Sequence, residues 1–176
     1  GPAHPKTLWT LTEYGKAIWD SGQRDRLPDI IQKARAGATQ TFGTQSLIMA
    51  EIEELDALNL SSGGPELPGF REGLAAQLRA IEIREAILSP DAPSLGRALL
   101  NYSAMIQDTG DTKAALDAAL RAEKAEYGSR DHLIQLVHEA YDKGVMTHQE
   151  AGEEFLRLVQ SSFTSDAGRA ANALGV

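Results

Sequence analysis

Residues 107–120 read QDTGDTKAALDAAL, and within them Asp108-Thr109-Gly110 is the tripeptide that carries the catalytic carboxylate in one class of peptidase. That chemistry needs an apolar strand ahead of the motif and a second acidic loop, so that two carboxylates can share a proton. Here the tripeptide closes one amphipathic run and opens an alanine-rich one, the context of a turn between helices. Asp108, Gly110 and Asp111 do not follow the ligand order of an EF-hand calcium loop, which ends on a glutamate. His4, His132, His138 and His148 form no HExxH. His132 and His138 stand six apart and share a helix face poorly, which argues against zinc there. The Glu-x-x-His pairs of a di-iron bundle are missing. No Gly-x-Ser-x-Gly turn presents a serine nucleophile. Gly63-Gly64-Pro65 lacks the Lys-Ser/Thr that completes a phosphate loop. Glu13, Glu51, Glu54, Glu150, Glu153 and Glu154 could supply acid–base pairs in a cleft, but their spacing sets them opposite apolar stripes, where solvated charge belongs. No catalytic residue, metal ligand or cofactor is expected.

Composition bounds the partners. The 176 residues are 42% apolar and 24% charged, enough for one domain with a real core. A net charge of −8 argues against a nucleic-acid partner, because phosphate binding needs clustered Lys and Arg. The acidic run Glu51, Glu53, Glu54 and Asp56 points the same way and is expected to be a solvated helix face. Cysteine is absent, which removes disulfides and thiolate chemistry and leaves the compartment open, with the cytoplasm the default expectation. No apolar stretch approaches the roughly 20 residues of a membrane span. Gly1-Pro2 has the form of a tag-cleavage scar, so residues 1–5 are set aside from the fold. The missing initiator methionine fits a piece of a larger protein.

Helical periodicity dominates the rest. Leu8, Leu11, Tyr14, Ile18 and Trp19 recur every three or four positions, with Gly22 as the stop. Pro28 suits the first turn of a second helix carrying Ile30, Ile31 and Ala34, ended by Gly37. A third helix spans about Thr44 to Asn59, with Ile48, Ile52, Leu55 and Leu58 on one side and the acidic run on the other. LSSGGPELPG, residues 60–69, is the clearest loop and the point where two halves could divide. A fourth helix runs from Phe70 to Leu88, with Leu74, Leu78, Ile81 and Ile87 apolar. Ser94 is the expected N-cap of a fifth helix reaching Asp108. The sixth, Thr112 to Tyr127, is alanine-rich (Ala114, Ala115, Ala118, Ala119, Ala122, Ala125), which permits close approach of a neighbour. Ser129 or Asp131 caps a seventh, bearing Leu133, Leu136, Val137, Ala140 and Tyr141. Thr147 and Glu150 form a capping box for an eighth, whose apolar face is Ala151, Phe155, Leu158 and Val159. Residues 161–176 are expected to be a weakly ordered tail or final helix. Trp9, Trp19, Phe42 and Phe70 are assigned to core or inter-helix packing. The fold class is all-α, seven to nine helices in antiparallel pairs, forming a single helical domain over residues 6–160.

The pairs repeat. With Gly22 set on Gly110, residues Leu11, Tyr14, Gly15, Ile18, Leu27, Ile31 and Ala34 align with Leu99, Tyr102, Ser103, Ile106, Ala115, Ala119 and Ala122. Tyr14-Gly15 and Tyr102-Ser103 fall at the position of a Leu-Gly pair. Gly22 and Gly110 fall at the turn, and Ala34, Ala115 and Ala122 at small-residue positions. Leu133 through Phe155 is a looser third copy with a turn about two residues longer. This spacing resembles the tetratricopeptide repeat (TPR), a helix-turn-helix unit that stacks with its neighbours. Leu11 and Leu99 replace the family's preferred tryptophan, Tyr127 stands where a proline closes the second helix, and the copies are not contiguous at the usual period of about 34 residues. A helical bundle outside that family obeys the same packing rules.

The resemblance implies a non-catalytic module that binds another protein or peptide, with the first helix of each pair lining the concave face. On the fifth helix Arg97, Leu100, Ala104, Gln107 and Asp108 would then point to the partner, while Tyr102 and Met105 pack between helices. The alternative is a helical enzyme or small-molecule-binding domain with an interior pocket near Trp9, Trp19 and His138.

Overall fold

The structure, a computed structural model, describes residues 4–125 and 127–160. Its elements are α1 (Pro5–Asp20), a 3-10 turn (Arg24–Arg26), α2 (Leu27–Phe42), α3 (Leu47–Ser61), α4 (Phe70–Ile87), α5 (Pro93–Gln107), α6 (Thr112–Lys124) and α7 (Arg130–Asp142). Residues 148–160 form α8, and no strand occurs among the described residues. None of these helices is long and apolar enough to cross a membrane.

The punctuation is local chemistry. Gly22, Gly110 and Gly144 all have positive φ, the left-handed conformation that only glycine adopts without a steric cost. The Asp111 side chain accepts from the Ala114 N–H to open α6, and Ser129 does the same for His132 in α7. Thr147 and Glu150 make the expected capping box, with Thr147 N donating to Glu150 Oε2 at 2.8 Å and Glu150 N to Thr147 Oγ1 at 3.2 Å. Several boundaries differ from the sequence expectation, among them α3, which opens at Leu47 rather than Thr44, and α6, which ends at Lys124 rather than Tyr127. α1 opens at Pro5, with the His4 side chain accepting from Lys6 N, inside the stretch set aside. α2 passes through Gly37 and stops at Gly43, because Ala38 continues the buried stripe of Ile31 and Ala34. Ala92 caps α5 and Ser94 lies within its first turn, since Pro93 already has the φ a helix start requires.

Helices pair with their sequence neighbours, α1 with α2, α3 with α4 and α5 with α6. The pairs are antiparallel: a Cβ placed on Gly73, early in α4, would lie 3.0 Å from the carbonyl of Ala57, late in α3. The equivalent point on Gly96, early in α5, lies 2.8 Å from Ala125 just beyond α6. One cluster of buried side chains joins α1 to α4, among them Leu8, Leu27, Ile31, Ile52, Leu55 and Ala80. A second joins Ile81, Leu95, Leu99 and Ala122, and a third packs α6 against α7 and α8 through Ala119, Leu133, Leu136, Ala151 and Leu158. The alanines of α6 therefore do what their size suggests: Ala115, Ala118, Ala119 and Ala122 are all buried.

Several side chains lie elsewhere than expected. Trp9 and Phe42 are 45% and 42% exposed, and only Phe70 of the four aromatic candidates is fully buried. Ile81 is buried as expected, but the rest of the inward face of α4 includes Phe70, Gly73, Gln77, Ala80 and Arg84, whereas Leu78 and Ile87 are exposed. Val159 is exposed too, so α8 rests on Ala151, Phe155 and Leu158. The largest correction concerns the acidic run: Glu51, Glu53 and Glu54 are buried, because α3 is covered by α1, α2 and α4 and has no free face. The weakly ordered tail expected at 161–176 lies outside the described residues.

Candidate functional site

Polar and charged side chains link the first helices of successive pairs, α1 to α3, α3 to α5 and α5 to α7. Arg84, at the end of α4, is 1% exposed. Its Nη2 donates to Glu51 Oε1 at 2.6 Å and to Glu54 Oε2 at 2.7 Å, and its Nη1 donates to the Ala80 carbonyl at 3.2 Å. Arg97 of α5 reaches the same two carboxylates at 3.0 and 2.9 Å. Lys16 of α1 closes the set through Glu51 Oε2 at 2.7 Å and Glu13 at 2.9 Å. Glu51 and Glu54 thus sit at the crossing of α1, α3, α4 and α5. Burial disfavours the Glu51 carboxylate, but Lys16, Arg84 and Arg97 together outweigh it and hold its pKa below the usual range. At Glu54 burial wins and the pKa is raised. A parallel network on the other side of α3 ties Glu53 to Arg35 and Arg79, and Asp56 to Arg35.

Beside this crossing is a depression of about 200 Å³. Trp19 and Asp20 of α1, Glu54 and Leu58 of α3, and Arg97 and Asn101 of α5 line it. The Arg24 guanidinium lies 4.8 Å from the centre of the Trp19 ring, within cation–π range. Trp19 Nε1, Glu54 Oε1, Arg97 Nε and Arg24 Nε are buried without a protein partner. Each such atom costs about 1–3 kcal/mol when left unpaired.

Of the five residues expected to face a partner, Arg97 alone lines this depression. Leu100 is half-buried against the cluster of Leu95, Leu99 and Ala122. Ala104 and Asp108 are exposed. Gln107, ten residues and about 15 Å along the helix from Arg97, donates to Glu139 Oε2 of α7 at 2.8 Å. The structure therefore strings the five along α5 and does not gather them. Asn101 escaped the sequence argument, which followed only the notional repeat register. The interior pocket proposed near Trp9, Trp19 and His138 does not form: Trp9 is on the outer surface, and the exposed His138 stacks on Phe155 at 4.8 Å.

Between α5 and α7 two polar fasteners replace the ion network. Ser103 is fully buried, and its hydroxyl donates to the Ala115 carbonyl at 2.7 Å. Its contact to His132 Nε2 at 2.9 Å is therefore accepted from the ring N–H. A Ser–His pair so oriented has no hydroxyl proton left for the imidazole to take and no access to substrate, so it fastens helices. Glu139 accepts from Lys143 Nζ at 2.7 Å, Gln107 at 2.8 Å and Thr112 at 2.7 Å. These bonds lower its pKa from 4.5 to about 2. The unfolded chain therefore binds the extra proton in that interval, and stability falls as pH drops from about 4.5 towards 2. Urea titrations across this range should show a steeper acid loss for the parent than for Glu139→Gln. Identical pH slopes would discount the three bonds.

No protein-family model and no curated protein sequence matches the chain. Among solved structures, the crystal structure of nearly identical TPR-like repeats from Podosopora anserina, described as a kinesin light chain, superposes with a TM-score of 0.68. The match covers 92% of this chain and 77% of that one at 15% identity, a likeness of fold. Helices paired with their sequence neighbours agree with that superposition: the chain folds as a TPR-like array of helix pairs.

Proposed function

We propose that this protein is a non-catalytic adaptor module that holds an extended segment of another protein along the side formed by α1, α3, α5 and α7. The observation that carries the reading is the depression at the α1–α3–α5 crossing, where side chains from three first helices converge on one polar and apolar surface. Arg97, Ala104, Gln107 and Asp108 extend that surface along α5, with Leu100 contributing its exposed edge. The basic groups there are already matched by Glu51 and Glu54, so the face selects by shape and hydrogen bonding more than by net charge.

Selection of displayed peptides against the immobilised protein tests this. Selected sequences should lose at least about tenfold in affinity, roughly 1.4 kcal/mol, on Asn101→Arg, Ala104→Arg or Asp108→Lys. They should be indifferent to Leu78→Arg on the exposed face of α4. The opposite pattern would move the binding surface to the outer helices and defeat the proposal.

A further inference from the structure

Among the described residues, four buried side-chain polar atoms lack a protein partner: Trp19 Nε1, Arg24 Nε, Glu54 Oε1 and Arg97 Nε. Three of the four belong to residues that line one place. Trp19, Glu54 and Arg97 line the same depression, and Arg24 stacks on the Trp19 ring. Folded proteins leave few buried polar atoms unpaired. Each such atom calls for a partner, and three of them at one helix crossing point to a group bound there that completes them. Glu54 is the most enclosed of the three: its side chain is 7% exposed and held by Arg84 and Arg97 through Oε2, which leaves Oε1 to spare.

The donors and acceptors describe the occupant. An indole Nε1 and a guanidinium Nε each offer one N–H and accept nothing, while a carboxylate oxygen only accepts. Two donors and one acceptor fit a group with a carbonyl and an N–H side by side. A carboxylate would satisfy the donors and meet Glu54 with like charge. An ammonium would satisfy Glu54 and leave both N–H groups unpaired. Nor does the site's charge draw an ion, because Lys16, Arg24, Arg84 and Arg97 balance Glu13, Glu51, Glu54 and Asp20. Leu55 and Leu58 add apolar wall for a short aliphatic stem, and about 200 Å³ suits one side chain.

We propose that the depression between α1, α3 and α5 is a carboxamide pocket, which takes an Asn or Gln side chain of the bound segment. Its carbonyl accepts from Trp19 Nε1 and Arg97 Nε, and its amide N–H donates to Glu54 Oε1. The partly buried Trp19 ring is the wall that turns to admit it, whereas Glu54 is held in place by Arg84. This inference rests on the peptide-binding reading and sharpens its specificity.

The test is a titration of the full chain with propionamide, followed through the Trp19 indole and Arg97 Nε–H resonances in ¹H–¹⁵N spectra. N-methylacetamide stands for a main-chain amide, and propionate and propylammonium are charged controls. Both resonances should shift saturably with propionamide, at the millimolar affinity of a fragment. The Trp9 indole should stay still, and the two ions should bind at least about tenfold more weakly. Trp19→Phe keeps an aromatic side chain, removes the donor and should weaken binding about three- to tenfold, the loss of one hydrogen bond. Motionless resonances, or tightest binding by propionate, would overturn the pocket. Tighter binding by N-methylacetamide would overturn the side-chain source in favour of the main chain. Selected peptides that occupy the α1–α3–α5 face without moving either resonance would sink the pocket and spare the peptide-binding reading. Amide binding without any selected peptide would do the reverse.

Discussion

Arg84→Ala should destabilise the protein by about 3–5 kcal/mol, the largest loss expected from any single substitution in the network. The size follows from what is left behind. Among the described residues, Arg84 is the one fully buried cation that bonds both Glu51 and Glu54. Without it two carboxylates remain in the interior with only Arg97 and Lys16 to compensate, and those side chains are 34% and 29% exposed. Water already screens part of their charge, so they cannot fully replace a buried partner. The companion result separates charge from packing. Removing Arg84 and Glu54 together, as Arg84→Met with Glu54→Leu, should recover most of the loss, because apolar groups of similar volume often replace buried ion pairs at little cost. Urea midpoints at constant slope would establish both values. A double variant as unstable as Arg84→Ala alone would mean that shape, not charge, makes the residue necessary.

Gly73→Val should cost about 1–3 kcal/mol, towards the upper end. A Cβ at this position would meet the Ala57 carbonyl at 3.0 Å, the Ser61 nitrogen at 3.1 Å and Leu60 Cβ at 3.3 Å. Two of these three atoms are backbone, and backbone cannot swing aside as a side-chain tip can. The helices must separate, and α3 with α4 is the most closely packed pair in the fold. Ala75→Val, on the exposed face of the same helix, carries the β-branched propensity cost without the clash. A Gly73→Val loss no greater than that of Ala75→Val would show that the close approach is not needed.

Much of the fold was legible because its signals are local. A glycine that must adopt positive φ, a serine or aspartate that accepts a helix N–H, and the Thr147–Glu150 box each act within a few residues. Alanines at helical spacing in α6 announced a close neighbour, and Ala115, Ala119 and Ala122 have one. The aligned positions Gly15 and Ser103 are both buried at helix contacts, as the repeat register requires. Boundaries failed where two local signals competed: Gly37 suggested a stop, and the apolar stripe through Ala38 overrode it.

The acidic run was misjudged for a physical reason. Amphipathicity within one helix tells which face is apolar but not how many neighbours the helix will have. On a surface helix Glu51 and Glu54 would be solvated; α3 is central, and both of its faces are covered. A trace of this was present in α4, where Gln77 and Arg84 share the small-residue stripe of Gly73 and Ala80. Polar groups on such a stripe are buried with their partners, and Gln77 donates to the Ala98 carbonyl at 2.8 Å.

By itself, then, the sequence determined the helices, most of their caps and their pairing, since those depend on dihedral preference and hydrogen bonds between near neighbours. Only the tertiary structure decided that carboxylates 30 to 46 positions from Arg84 and Arg97 would meet them in the interior. It also decided that Trp19, Glu54 and Arg97 would converge with unspent hydrogen-bonding capacity. Burial and charge compensation are properties of the assembled pairs, because the dielectric around a side chain is set by everything packed on it.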